Sequence, residues 1–159
     1  MMKITVIALA SLKEKYLKEA ADEYIKRLGA FCNLKIIEID PVRLPEKPSY
    51  AEISAALSRE AELIAKKIPA GDFVVPLCIE GKQLSSEEFA EMLEDKMNIG
   101  RGVTFIIGSS CGLSDDIKRR ADFKLSFSKM TFPHKLFRVM LLEQLYRAFK
   151  ICSGAAYHK

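Results

Sequence analysis

The first candidate for chemistry in this sequence is a loop of small and polar residues. Residues 105–114 (FIIGSSCGLS) have the pattern of a strand, a tight glycine turn and the start of a helix. Glycine lets a backbone approach a ligand closely, and exposed amides at a helix start bind polar atoms. The segment has neither the GK[ST] of a P-loop nor a dinucleotide-binding GxGxxG. It therefore indicates a candidate binding loop, with an ordinary tight turn as the alternative.

The cysteines and histidines do not predict a metal site. The cysteines are separated by 46, 33 and 41 residues, at Cys32, Cys78, Cys111 and Cys152. No CxxC pair is present, and His134 and His158 have no zinc-ligand spacing. We therefore expect no bound metal, and free thiols in a reducing compartment.

Charge is distributed unevenly along the chain. The 159 residues carry a net charge of +4, but residues 118–159 hold 10 Lys and Arg against 2 Asp and Glu. That is a net +8 for this last quarter and a net −4 for residues 1–117. The pattern predicts a surface that faces a polyanion, with solvated helix faces as the alternative.

Strands and helices alternate along the chain and must position these residues. The predicted strands are 3–8, 34–39, 73–79, 103–107 and 123–127. The predicted helices are one ending at Gly29, one from a Ser49 cap to 69–71, one from a Ser85–Glu88 capping box to about Met97, a short one at 115–120, and one over about 134–150.

This alternation predicts an α/β fold, a mostly parallel sheet with helices on both faces, formed by one domain over residues 1–159. Ligands of such sheets bind beyond the carboxyl ends of the strands. Three loops are expected there: the one after Leu77, the one at Gly108, and residues 128–133.

The last helix is apolar around most of its circumference, which predicts burial on several sides and, in a chain this short, a homodimer. No apolar run approaches the roughly 20 residues of a membrane helix. The stretch 4–10 has the β-branched start of a buried strand rather than the features of a signal peptide. We therefore expect a cytoplasmic protein without a membrane partner.

Several ordered motifs give the chain a resemblance to a known family. These are KITVIA near the N-terminus, then LCIEGKQLSS, FIIGSSCG, SFSKMTFPH, EQLYRA and a final YHK. With these motifs spread over its whole length, the chain resembles the small SPOUT-class 23S rRNA (pseudouridine-N3) methyltransferase H family. The resemblance implies a deep trefoil knot in the C-terminal half, a feature that periodicity alone would not predict because knots are so rare.

The resemblance also implies a cofactor, S-adenosylmethionine, held in the knot. The positions that match the family's cofactor contacts are Leu77, Gly108, Phe127, Ser128, Lys129, Met130, Thr131 and Phe132. Such loops supply the backbone hydrogen bonds and apolar walls that an adenine needs. The family usually has two glycines where this chain has Gly108 and Ser109. Ser109 would weaken cofactor binding modestly if its position requires a positive φ.

Methylation of N3 of a uracil-type base requires alignment with the methyl group and loss of a proton. His158 is the candidate general base because histidine titrates near neutrality, with a tail residue of no chemical role as the alternative. Tyr157 would stack on the flipped base, or simply pack. Arg138 would bind phosphate or orient the nucleobase, or else form an ion pair at the dimer interface. For His134 we expect a structural role or one in orienting the cofactor loop.

The substrate implied by the resemblance is the pseudouridine at position 1915, in helix 69 of 23S rRNA, in the assembled 70S ribosome. The site would combine one subunit's cofactor loop with its partner's C-terminal tail. The run 118–120 (KRR) would contact RNA phosphates, with a solvated surface as the alternative. A non-catalytic ribosome-binding module is the second functional hypothesis, because the basic last quarter would suffice for it. A doubly wound nucleotide-binding enzyme fits the topology but not the SKMTFPH loop.

Overall fold

The computed structural model describes residues 1–156, in which five strands and five helices occur. The strands are β1 (Met2–Ala8), β2 (Cys32–Glu38), β3 (Phe73–Gln83), β4 (Val103–Ile107) and β5 (Leu125–Ser126). The helices are α1 (Lys15–Leu28), α2 (Tyr50–Ala65), α3 (Ser86–Asn98), α4 (Asp115–Arg120) and α5 (His134–Cys152). The sheet has the order β2-β1-β4-β3-β5 and every pair is parallel, which confirms the predicted α/β fold.

Helices cover both faces of the sheet. Successive residues of a strand point to opposite faces, so Val6 belongs to one apolar core and Ile7 to the other. The larger core includes buried residues of α1, α3 and α5, and the smaller one includes those of α2 and α4. Every residue of β4 is buried, as a central parallel strand covered on both faces requires.

Capping boxes open α2 and α3. In each, the cap hydroxyl accepts from the backbone N–H of a glutamate three residues on, and that carboxylate accepts from the cap's own N–H: Ser49 with Glu52, and Ser85 with Glu88. The predicted end of α2 at 69–71 is wrong. The helix stops at Ala65, because the next backbone N–H groups turn back in a tighter arrangement that includes a bond from Lys67 to Ile64.

The bounds of β3 and β5 also differ from the prediction. β3 continues beyond residue 79 to Gln83, although its last residues are polar, because pairing with β5 uses backbone groups. β5 is shorter than the predicted 123–127 and comprises only Leu125–Ser126. The amide of Phe123 is not available for a strand, because it donates to the carbonyl of Val74.

β3 passes very close to the chain that leads into β5. Leu77 and Lys82 both stand opposite Leu125, so β3 is irregular between them. A Cβ on Gly81 would lie 2.8 Å from backbone atoms of Lys124 and Leu125. Since real Cβ atoms essentially never come this near to backbone, only glycine fits the crossing.

α5 packs against α1 and α3 and has no fully exposed residue. Its apolar residues that stay half-buried are Leu136, Phe137, Val139, Met140, Tyr146 and Ile151. A second subunit would bury them further, and the homodimer stays a prediction. None of the helices within residues 1–156 combines the length and the apolarity needed to cross a membrane.

Candidate functional site

A cavity of about 640 Å³ opens beyond the carboxyl ends of β4 and β5 and against the middle of β3. Its volume lies within the usual range for small-molecule sites. The lining residues are 77–80, 107–113, Lys118, 125–128, 131–134 and Phe137. The cavity therefore brings together the two predicted loops at Gly108 and at residues 128–133. The predicted loop after Leu77 is wrong, because β3 continues to Gln83 and contributes residues 77–80 to the wall as a strand.

Most of the predicted cofactor residues line this cavity: Leu77, Gly108, Phe127, Ser128, Thr131 and Phe132. Lys129 and Met130 do not. Both are exposed, and Met130 keeps 73% of its surface accessible. The structure thus places these two residues at the outer tip of a loop whose ends line the cavity.

Residues 108–112, here called the glycine loop, close tightly on themselves. The amide of Gly112 donates to the carbonyl of Ser109 over 2.9 Å, and Gly112 has a φ of 82°. A Cβ on Gly108 would lie 2.4 Å from the carbonyl oxygen of Gly112. Glycine is required at residue 108 for space and at residue 112 for its backbone conformation.

Ser109 does not strain the glycine loop. No residue other than glycine has a positive φ within residues 1–156, so the condition for weaker binding stated above is not met. Instead, the Ser109 hydroxyl donates to the carboxylate of Glu60 over 3.0 Å. The side chain that replaces the family's second glycine is therefore hydrogen-bonded behind the loop.

Residues 127–132, here called the aromatic loop, are held by packing and by short-range bonds. The rings of Phe127 and Phe132 contact Phe137 of α5, with centroids 5.9 and 5.6 Å apart. The Ser126 hydroxyl donates to the Ser128 carbonyl, and the Ser128 hydroxyl accepts from the amide of residue 130. These contacts supply an apolar wall flanked by polar backbone, which suits a nucleoside.

An ion pair lies at the rim of the cavity. Lys118 of α4 donates to the Glu80 carboxylate, which lowers the pKa of Glu80 and raises the pKa of Lys118. Burial raises the pKa of the neighbouring Cys78 thiol, so this thiol remains protonated at neutral pH. The site therefore presents one anion and one cation beside apolar walls.

The three residues of the basic run 118–120 differ in their contacts. Lys118 is engaged with Glu80, and Arg119 is engaged with Asp116. Arg120 is exposed and has no hydrogen bond or ion pair within the described part of the chain. Of the three predicted phosphate contacts, Arg120 is the one with an unengaged guanidinium.

His134 begins α5 and lines the cavity. Burial lowers its pKa, and the positive charges of Lys135 and Arg138 lower it further. Its imidazole is consequently neutral at physiological pH, when one nitrogen donates and the other accepts. This placement is compatible with the predicted role of His134 in orienting the cofactor loop.

Arg138 does not line the cavity. Its side chain is 5% exposed, and its guanidinium donates to Glu38 over 2.7 Å and to the carbonyl of Ala10. The remaining Nε is buried without a hydrogen-bond partner in the described residues. An ion pair was the alternative for Arg138, but the pair seen here lies within one chain. Lys135 similarly pairs with Glu14, so α5 is tied to the chain after β1.

Tyr157 and His158 lie outside the described residues, and their predicted roles stay predictions. No sequence pattern indicated Glu60, which lies inside an ordinary helix pattern, or the pair of Glu80 with Lys118. Within residues 1–156, no group of three or more His, Cys, Asp or Glu is placed to hold a metal ion. The four cysteines are free thiols.

A second cavity, of about 410 Å³, adjoins the first at β5. It shares Leu125, Ser126 and Phe127 with the first cavity and is otherwise lined mainly by α3 and α5. The hydroxyl of Ser86 donates to Gln144 at its wall. The two cavities therefore share β5 and Phe127, and α5 contributes residues to both.

Comparison with known proteins identifies relatives along the full chain. A family described as "Predicted SPOUT methyltransferase" matches residues 2–158. Ribosomal RNA large subunit methyltransferase H of Carboxydothermus hydrogenoformans is 50% identical, covering 99% of this chain and 100% of that protein. The protein of the same name from Clostridium acetobutylicum is also 50% identical with the same coverage.

Solved structures share the fold at low identity. A probable methyltransferase from Bordetella pertussis Tohama I has a TM-score of 0.59 and 13% identity, covering 92% of this chain and 93% of its own. A probable methylase family protein from Haemophilus influenzae Rd KW20 has a TM-score of 0.55 and 14% identity, with coverage of 99% and 70%. These similarities support the fold and nothing finer.

Proposed function

Because this chain belongs to the SPOUT methyltransferase family, we propose that it methylates 23S rRNA, with S-adenosylmethionine as the methyl donor. The observation that carries the proposal is full-length identity of 50% to proteins named ribosomal RNA large subunit methyltransferase H. The finer assignment, N3 of pseudouridine 1915 in helix 69 of the 70S ribosome, is part of the proposal and comes from the motif resemblance.

The cavity fits the proposed cofactor in size and chemistry. About 640 Å³ is enough for a nucleoside with an amino-acid side chain, and Leu77 and the aromatic loop supply apolar walls. The glycine loop would hold polar atoms of the cofactor through its backbone. The carboxylate of Glu80 and the ammonium of Lys118 are opposite in charge to the amino and carboxyl groups of the cofactor's amino-acid part. When bound, the cofactor supplies a methyl group activated by a sulfonium. We propose that its contacts are the six matched residues that line the cavity: Leu77, Gly108, Phe127, Ser128, Thr131 and Phe132.

The residues of this chain would then align the base and move its proton. We propose His158 as the general base and Tyr157 as the stacking partner of the base, both brought by the C-terminal tail. Arg138 is proposed to act by fixing α5 below the aromatic loop, since its buried guanidinium is already bonded to Glu38 and Ala10. Neutral His134 would orient the same loop.

The RNA would contact cations that are not used within the protein. Arg120, Lys124 and Lys129 are exposed and have no ion pair within residues 1–156. Lys124 is close enough to Glu80 to lower that residue's pKa, and Lys129 belongs to the aromatic loop. We propose that these three side chains bind phosphates around the cavity, because cations that neutralise phosphates displace the counterions condensed on the nucleic acid.

The proposal also includes one domain over residues 1–159, a trefoil knot, a homodimer and a cytoplasmic location. The half-buried apolar residues of α5 support the dimer. With a second subunit on α5, the partner's tail would complete the site.

Two measurements test the function. Calorimetric titration with S-adenosylhomocysteine should show binding, and ribosomes lacking the modification should take up labelled methyl groups in 23S rRNA. His158→Ala should bind the cofactor product normally and lose most methyl transfer, about 10²-fold or more for a general base. Failure of the wild type to bind at millimolar concentration would overturn the enzyme assignment and leave an RNA-binding module.

The RNA surface has its own test. In ribosome binding, the logarithm of the association constant falls linearly with the logarithm of the salt concentration. Replacing Arg120, Lys124 and Lys129 by Gln should make this slope shallower by roughly 0.7 to 0.9 for each charge removed. Lys18→Gln on α1, also exposed, is the matched control and should not change it. An unchanged slope in the triple variant would contradict the proposed contacts.

A further inference from the structure

We propose that Glu60 is a positioning residue that shapes the glycine loop for cofactor binding, an inference that rests on the proposed function. Glu60 lies in α2, outside the cavity and outside the motifs that indicate the family. The proposal depends on three observations: its burial, its two hydrogen-bond donors, and the position of one donor in the cavity wall.

Glu60 is 4% exposed, an unusual burial for a carboxylate. One carboxylate oxygen accepts from the Ser109 hydroxyl over 3.0 Å, and the other accepts from the backbone N–H of Val42 over 2.9 Å. None of the ion pairs found within residues 1–156 includes it. A buried carboxylate without a cation depends strongly on such donors, so removing either donor is costly.

Through these two hydrogen bonds, the Glu60 side chain links two different loops at the carboxyl edge of the sheet. Val42 belongs to the proline-containing chain after β2, and Ser109 belongs to the glycine loop after β4. Ser109 also accepts the Gly112 amide through its carbonyl. Glu60 therefore fixes the one residue of the glycine loop that is held by both its backbone and its side chain.

The consequence concerns ligand affinity. Ser109 lines the cavity, so its position sets the shape of the wall that the cofactor meets. If the hydroxyl loses Glu60, it is free to turn, and the loop has more conformations to give up on binding. The expected result is weaker binding by a protein that is still folded.

A double-mutant cycle tests this coupling. The variants are Glu60→Gln, Ser109→Ala and the pair together, titrated with S-adenosylhomocysteine by calorimetry and melted in parallel. Glu62→Gln is the matched control, because Glu62 lies on the same helix, is exposed, and pairs only with Arg59. Each single variant should raise Kd by about tenfold, the effect of one net hydrogen bond. The double variant should be no weaker than the weaker single variant, and the control should match the wild type.

The outcomes separate the inference from the function. Wild-type affinity in both single variants, or additive losses in the double variant, would overturn the role of Glu60 while the enzyme assignment stands. A lower Tm with unchanged Kd would show a merely structural role and would also overturn it. If Glu60→Gln does not fold, Ser109→Ala alone decides, because its side chain is half-buried and its removal leaves the helix intact. A wild type that binds nothing refutes the proposed function itself.

Discussion

The glycine loop and the aromatic loop both line the cavity, yet different kinds of contact hold them. The glycine loop is closed by its own backbone and anchored from behind by Glu60. The aromatic loop has two hydrogen bonds within residues 126–130, ring contacts with Phe137 and an exposed tip at Met130. The glycine loop is thus held by a contact from another element at its polar side chain, whereas the tip of the aromatic loop has only a local hydrogen bond.

This difference indicates that the two loops contribute to ligand binding in different ways. A preorganised loop sets affinity, because it loses little conformational freedom on binding. A loop with an exposed tip and few long-range bonds needs little free energy to open locally. Segments that close over ligands generally share this low local stability. Substitutions in the two loops should therefore fail in different ways: by steric conflict in the glycine loop and by small losses in the aromatic loop.

The largest effect should come from Gly108→Ala. Its new Cβ would lie 2.4 Å from one backbone atom of Gly112 and 2.6 Å from another, and backbone cannot move aside cheaply. We expect a loss of about 3 kcal/mol in the free energy of unfolding and no measurable binding of S-adenosylhomocysteine. Urea denaturation and calorimetry check this. Ser54→Ala, an exposed change on α2 outside the cavity, is the control. Normal binding by Gly108→Ala would show that the loop is not preformed.

The next effect concerns the support of the aromatic loop. Gly81→Ala places a Cβ 2.8 Å from the backbone just before that loop, so β3 and the chain into β5 must separate. A loss of about 2 kcal/mol in the free energy of unfolding is expected, in the range of overpacking. Gly29→Ala is a suitable control, since its Cβ would meet its nearest atom at 3.3 Å and its φ is negative. Equal stabilities of the two variants would contradict the close crossing.

Acid should affect the aromatic loop through His134. Its folded-state pKa is lowered from 6.5, so the folded protein binds this proton less tightly than the unfolded chain does. This contribution to stability is therefore complete above about pH 6.5 and is lost as the pH falls below that value. The lowered pKa values of Glu14 and Glu80 act only below their ordinary 4.5.

His134→Gln should accordingly flatten the dependence of Tm on pH between about pH 7.5 and 5. The difference in slope between variant and wild type corresponds to less than one proton taken up on unfolding, because a single imidazole is involved. If the variant and the wild type show the same dependence of Tm on pH, His134 does not contribute to the loss of stability in acid.

The sheet and most helices were predictable because their signals are local. Four of the five residues of β4 are apolar, α4 begins after a serine cap, and both elements have the predicted bounds. The extension of β3 was not predictable, since its polar end pairs through backbone groups that carry no side-chain pattern.

The site was predictable only in part, for a similar reason. The motifs pointed to Gly108 and Phe127, which do line one cavity. Arg138 has the type and position of a phosphate-binding residue, but its partner Glu38 is 100 residues away in the sequence. Glu60 and Ser109 are 49 residues apart. Pairings over such distances depend on tertiary packing, which no local pattern encodes.

The smallest effect distinguishes the loops most directly. Ser128→Ala removes the hydroxyl that accepts from the amide of residue 130 over 2.9 Å, a bond in an exposed part of the aromatic loop. Water can replace it, so the free energy of unfolding should fall by about 0.5 kcal/mol, the low end for a hydrogen bond. Hydrogen exchange should nevertheless speed up at that amide, and addition of S-adenosylhomocysteine should slow it again. The glycine loop should show little ligand-dependent change at the amide of Gly112, because that bond is already closed. Equal ligand-induced protection in both loops would mean that they are ordered together, and the contrast between a preformed and an adjustable wall would be wrong.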